Sequence, residues 1–165
     1  MDSKQVYSRE ELLLCSKGEL FGNNSLKLPL PQMLMLDRIT EINANKGNFN
    51  RGYAIAELDI HPELWFFNCH FEGDPVMPGS LGMDGLSQLV GFYLGWKGFK
   101  GKGRALGVSK IKFKGEVLPD SKKITYKIDV KKILNGSMVV AIADGSIGIN
   151  GQIVCISKNI QVGVF

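Results

Sequence analysis

The stretch that most constrains this chain is Ser80 to Trp96, an apolar run interrupted by one acid, Asp84. Leu81, Met83, Leu86, Leu89, Val90, Phe92, Tyr93, Leu94 and Trp96 leave almost no polar face, which predicts a helix buried on nearly every side. Gly82, Gly85, Gly91 and Gly95 lie inside it, each costing about 1 kcal/mol relative to alanine. Such a helix needs surrounding packing, and its glycines predict that a sheet or an acyl chain approaches the backbone closely. The run is too short to span a membrane, which takes about 20 apolar residues. Immediately before it stands His70-Phe-Glu-Gly-Asp-Pro-Val-Met-Pro-Gly79, a loop with Pro78, Gly79 and Ser80 at the helix mouth. Free N–H groups and the positive end of the helix dipole at that mouth can hold a developing oxyanion. A histidine base, a carboxyl and a helix N-terminus in so short a span make an acid–base site.

The remaining elements follow from local signals. Ser8-Arg9-Glu10-Glu11 forms a capping box, predicting a short covering helix over Arg9 to Lys17 that stops at Gly18. Met33 to Ile42 is ambiguous, its β-branched end favouring a strand, and Tyr53 to Ile60 is read as the returning strand. Four more strands are expected. Val108 to Val117 sets Ile111 and Phe113 against Lys110, Lys112 and Lys114; the turn at Leu118-Pro119-Asp120 follows. Ile124 to Lys131 alternates with period two, and Met138 to Ile149 and Gln152 to Val164 are bounded by the Asn135-Gly136 and Asn150-Gly151 turns. Between helix and strands, Lys97, Lys100 and Lys102 interleave with Gly98, Gly101 and Gly103 in a loop that matches no nucleotide motif. Two strands, a buried helix and four meandering strands predict an α+β fold: an antiparallel sheet wrapped around a central helix, as one domain over 1–165.

Composition narrows the class. A net charge of +4 is too weak and too dispersed for nucleic acid, and it suits a small acidic partner. Cys15, Cys69 and Cys155 show no metal or redox spacing, and Cys69, His70 and Asp74 fit no zinc site. No metal and no cofactor are expected. Met1-Asp2-Ser3-Lys4 carries no apolar signal region, so a cytoplasmic protein without membrane insertion is expected.

The motif from His70 to Gly79, together with Leu81-Gly82, Asp84, Gln88 to Trp96 and Gly103-Arg-Ala-Leu-Gly-Val108, resembles the bifunctional 3-hydroxydecanoyl-acyl-carrier-protein dehydratase/isomerases of bacterial fatty-acid synthesis. The resemblance runs over nearly the whole chain and includes Gly73-Asp-Pro-Val-Met-Pro-Gly79 uninterrupted. It implies a hot-dog fold, with His70 as base and Asp84 as acid. It also implies a homodimer whose sites each combine His70 of one subunit with Asp84 of the other, acting on a thioester carried by acyl carrier protein. Gly79 would bind the thioester carbonyl through its N–H, Ser80 stands beside it, and Gln88, one helical turn beyond Asp84, would orient the carboxyl. Burial on the apolar helix favours the protonated acid that dehydration requires. His61, before Pro62, is read as a satisfied polar group, and Lys131, Lys132 and Lys158 as candidates to meet the carrier.

This sequence departs from the family at Ser80, where close relatives carry cysteine, and at Ser87, where they carry tryptophan. Gly136 and Ser137 fall where they are more basic. Tunnel shape is expected to depend on Ser87, Phe92 and Trp96. The alternatives are a related dehydratase that does not isomerise, usually with glutamate on the helix, a hot-dog thioesterase, and a non-catalytic acyl-binding module. Asp84 argues against the first, and the pairing of His70 with Asp84 against the last.

Overall fold

The computed structural model describes residues 4–165; Met1, Asp2 and Ser3, read above for a signal region, lie outside the described residues. Helix α1 covers Arg9–Lys17, with Ser8 and Glu11 closing the capping box and Gly18 in the left-handed conformation at φ 82°. Strands β1 (Arg38–Asn43) and β2 (Tyr53–Asp59) form an antiparallel pair. A 3₁₀ turn over Trp65–Asn68 leads through the His70 loop into helix α2, Gly79–Trp96. Strands β3 (Gly103–Gly107), β4 (Lys110–Phe113), β5 (Lys123–Asn135), β6 (Val139–Ile149) and β7 (Gln152–Val164) complete the chain.

The seven strands form one sheet in the order β1-β2-β5-β6-β7-β3, with β4 also pairing with β7. This is the hot-dog arrangement, an antiparallel sheet enclosing α2. Two expectations are corrected. The strand predicted over Val108–Val117 is only the four-residue β4, and a further strand, β3, begins inside the glycine-lysine segment. Nor do the last strands make one meander. β5 to β7 do, but β3 and β4 pair with β7 at one edge, whereas β5 pairs with β2. The Leu118-Pro119-Asp120 segment therefore crosses between neighbourhoods rather than closing a hairpin. β5 alternates buried Ile124, Tyr126 and Ile128, so it belongs in the sheet's interior with a neighbour on each side.

Sheet packing explains the helix glycines. A Cβ on Gly85 would stand 2.6 Å from the Tyr126 ring, one on Gly82 2.8 Å from Ile147, and one on Gly79 2.6 Å from Phe113. These positions let the strands reach the helix backbone; Gly91 faces nothing within 4 Å. Leu86, Leu89, Val90 and Leu94 are fully enclosed, while Phe92 packs edge-on against Tyr7 and Phe21 behind α1.

Candidate active site

The loop before α2 is held by its own backbone. Val76 donates its N–H to the His70 carbonyl at 2.8 Å, Phe71 and Asp74 exchange bonds of 2.7 and 3.0 Å, and Met77 donates to Val117 at 2.9 Å. Gly73, at φ 71°, makes the reversal between them. The half-buried His70 ring lies with Nδ1 2.8 Å from the Val76 carbonyl oxygen. A carbonyl only accepts, so Nδ1 carries the hydrogen and the neutral ring presents its lone pair at Nε2. A loop residue is thus locked in the tautomer that a base at Nε2 requires.

Helix α2 opens without help from a side chain. Pro78 occupies its N-cap, no side chain caps it, and its first turn has no acid. The N–H groups of Gly79 and Ser80 precede the first helical bonds, which run from Leu81 and Gly82 to the Pro78 carbonyl. Both residues are exposed, so the positive helix end faces outward beside His70. Together His70, Val76, Pro78, Gly79, Phe113 and Val117 border a cleft of about 220 Å³.

Asp84 lies elsewhere. It borders a second cleft of about 320 Å³ with Leu28, Met33, Ser87, Gln88 and Gly91, and no residue lines both clefts. Within one chain, then, the structure does not bring His70 and Asp84 together. The carboxyl is half-buried rather than buried, because the α2 face that carries it opens onto this cleft. Gln88 reaches back along the helix, donating from Nε2 to Asp84 Oδ2 at 2.6 Å. The same amide donates to the Met33 carbonyl at 2.8 Å and accepts the Met35 N–H at 2.9 Å. Gln88 is therefore a buried bracket between the 33–35 segment and the carboxyl.

Several expectations move. Ser87 does line the Asp84 cleft, but Phe92 is enclosed in the core and Trp96 hydrogen-bonds the Lys4 carbonyl, so neither shapes it. Lys131 and Lys158 both contact Asp144, at 3.5 and 2.8 Å, and so are not free cations; Lys132 is exposed. His61 sits in solvent, 3.0 Å from Glu63. Burial pushes the Cys15 thiol up to about 11 and raises Cys155 as well, which leaves both unreactive. Phe113 was missed as a wall of the His70 cleft. Its only signal is a large apolar residue on a short edge strand, 54% exposed in the single chain.

An antiparallel sheet around one apolar helix, with a histidine loop at the helix mouth and a carboxyl on the next turns, defines a hot-dog protein. The chain belongs to the family of the FabA-like domain, whose model matches residues 28–158. Three solved structures share the fold. A chain of the dehydratase heterocomplex ApeI:P from Xenorhabdus doucetiae is 14% identical with a TM-score of 0.63, covering 84% of this chain and 88% of that one. AziG from S. sahachiroi is 11% identical at a TM-score of 0.54, over 77% of this chain and 89% of that one. Cj0977, a sigma28-regulated virulence protein from Campylobacter jejuni, is 12% identical at 0.53, over 83% and 80%.

Proposed function

We propose that this protein dehydrates 3-hydroxyacyl thioesters carried on acyl carrier protein and isomerises the trans-2-decenoyl product to cis-3-decenoyl, as a homodimer with composite sites. The observation that carries the reading is the His70 ring, held with Nε2 free beside an uncapped helix N-terminus. Family membership and a dehydratase among the structural neighbours support the same reaction class.

In this mechanism Nε2 of His70 takes the C2 proton of the bound thioester. Charge moves to the thioester oxygen, where the Gly79 N–H and the helix end stabilise it. The C3 hydroxyl leaves as water with the proton of Asp84. Because Gln88 donates to Oδ2, the proton to be delivered belongs on Oδ1. For isomerisation the base removes a C4 proton from the 2-enoyl thioester, the dienolate places its charge on the same oxygen, and reprotonation at C2 yields the 3-enoyl product. Two clefts with no common lining residue support the composite arrangement: the acid opposite His70 comes from a second subunit. The open edge of β3 and β4, with exposed Leu106, Ile111 and Phe113, suits pairing with that subunit.

The test supplies 3-hydroxydecanoyl thioester and identifies products by mass and double-bond position, then supplies trans-2-decenoyl thioester alone. Dehydration and cis-3-decenoyl product are expected. Hydration alone from the second substrate means that Ser87, in the wall of the Asp84 cleft, has cost the bend in the chain that isomerisation needs. The protein is then a simple dehydratase.

A further inference from the structure

A base that takes a proton at Nε2 becomes a cation, and the chain gives His70 no anion to meet that charge. The ring's Nδ1 is bonded to the neutral Val76 carbonyl, and among the described residues no ion pair includes His70. Glu116, the one acid bordering the same cleft, is exposed to solvent. What does meet the imidazole is Phe71. The two ring centroids lie 3.8 Å apart, with their planes 32° from each other, so the phenyl face lies against the imidazole. Phe71 does not border the His70 cleft; it backs the ring and takes no space from a substrate. The loop itself sets its place. Phe71 donates its N–H to the Asp74 carbonyl at 2.7 Å and accepts the Asp74 N–H at 3.0 Å, across the reversal at Gly73. Phe71 is 55% exposed while Phe66 and Phe67 are buried, so it contributes little to the core. The face of a phenyl ring carries partial negative charge and attracts a cation stacked on it.

We propose that Phe71 is a positioning residue for the base: its ring fixes the plane of the His70 imidazole and stabilises the imidazolium formed during proton transfer. The assignment rests on the dehydratase reading above. The C2 proton moves to Nε2, its bonding pair stays with the substrate as the enolate, and Phe71 forms no bond. The Val76 carbonyl selects the tautomer, and the stacked ring stops the imidazole from swinging about that hydrogen bond. Because the positive charge appears only as the proton transfers, the contact strengthens towards the transition state and raises kcat without tightening substrate binding.

The experiment measures kcat and KM for 3-hydroxydecanoyl thioester in the wild type, Phe71→Leu and Phe71→Tyr. Leucine keeps apolar bulk but lacks the aromatic face, and tyrosine keeps the face. Since Phe71 is exposed, neither change opens a cavity in the core. In Phe71→Leu kcat should fall about tenfold, within the range of a cation–π contact shielded from water, with KM little changed. Phe71→Tyr should restore it. A leucine variant with wild-type kcat, a loss confined to KM, or a loss that tyrosine does not restore overturns the proposal. If the wild type turns over no thioester, the dehydratase reading fails by itself, and NMR of the carbon-bound His70 ring protons decides the stacking. The Phe71 ring current should displace them in the wild type and Phe71→Tyr relative to Phe71→Leu, and the displacement should grow when the imidazole is protonated. No displacement in the wild type, or one that fails to grow on protonation, overturns the proposal.

Discussion

Gln88 holds Asp84 by a 2.6 Å bond from Nε2 to Oδ2, and its amide is in turn fixed by the Met35 N–H and the Met33 carbonyl. One side chain thus ties a loop to the acid. Gln88→Leu leaves the buried Met35 N–H unpaired and removes the partner of the part-buried Met33 carbonyl; it is expected to cost about 1–3 kcal/mol of stability, read from denaturant unfolding. The remaining folded enzyme should lose kcat more than KM, because the carboxyl is misplaced while the thioester contacts stay. A variant that changes KM alone contradicts this role.

Asp84→Asn cannot deliver a proton, and His70→Ala cannot take one. Each should retain the fold and lose dehydration by at least ~100-fold, the lower range of acid–base catalysis. His61→Ala, a change in solvent, should leave turnover near wild type. Circular dichroism beside steady-state rates makes the comparison.

Mixing these two inactive proteins tests the composite site. A heterodimer of His70→Ala and Asp84→Asn subunits contains one intact pair, so activity should reappear after subunit exchange. Confirmed heterodimers with no activity would place both groups in one subunit's site.

Helix glycines separate by what they face. Gly85→Ala pushes a Cβ to 2.6 Å from the Tyr126 ring and should destabilise by about 1–3 kcal/mol. Gly91→Ala meets nothing within 4 Å and should stabilise by up to about 1 kcal/mol. Opposite shifts in Tm are expected.

Asp144 links stability to pH. Burial pushes its pKa up, but the Lys158 hydrogen bond, the Asn159 N–H and the charges of Lys158 and Lys131 outweigh this and hold it below 3.8. A depressed folded-state value adds stability above the ordinary pKa, and that stability is lost as pH falls through the folded value. Wild-type protein should therefore lose more stability than Asp144→Asn between neutral pH and about pH 3, measured by urea titration at each pH.

Elements whose cause is local were legible in the chain itself. The capping box and Gly18 bound α1, the Asn-Gly turns bound β6 and β7, and the apolar run from Ser80 to Trp96 falls in α2, which begins one residue earlier at Gly79. The motif around His70 and Asp84 was equally visible as residue types in order. What only tertiary structure decided involves groups distant along the chain. β4 covers only Lys110–Phe113, and it pairs with β7 rather than with the strand that follows it. The bond that His70 Nδ1 donates to the Val76 carbonyl, which selects the tautomer, depends on how the loop closes, and no residue pattern specifies a carbonyl's direction. Phe92 and Trp96 share an apolar face in sequence, yet packing behind α1 withdrew them from the cleft and left Ser87 in it. Local propensity acts within a few residues, whereas a cleft is made where separate segments stop filling space.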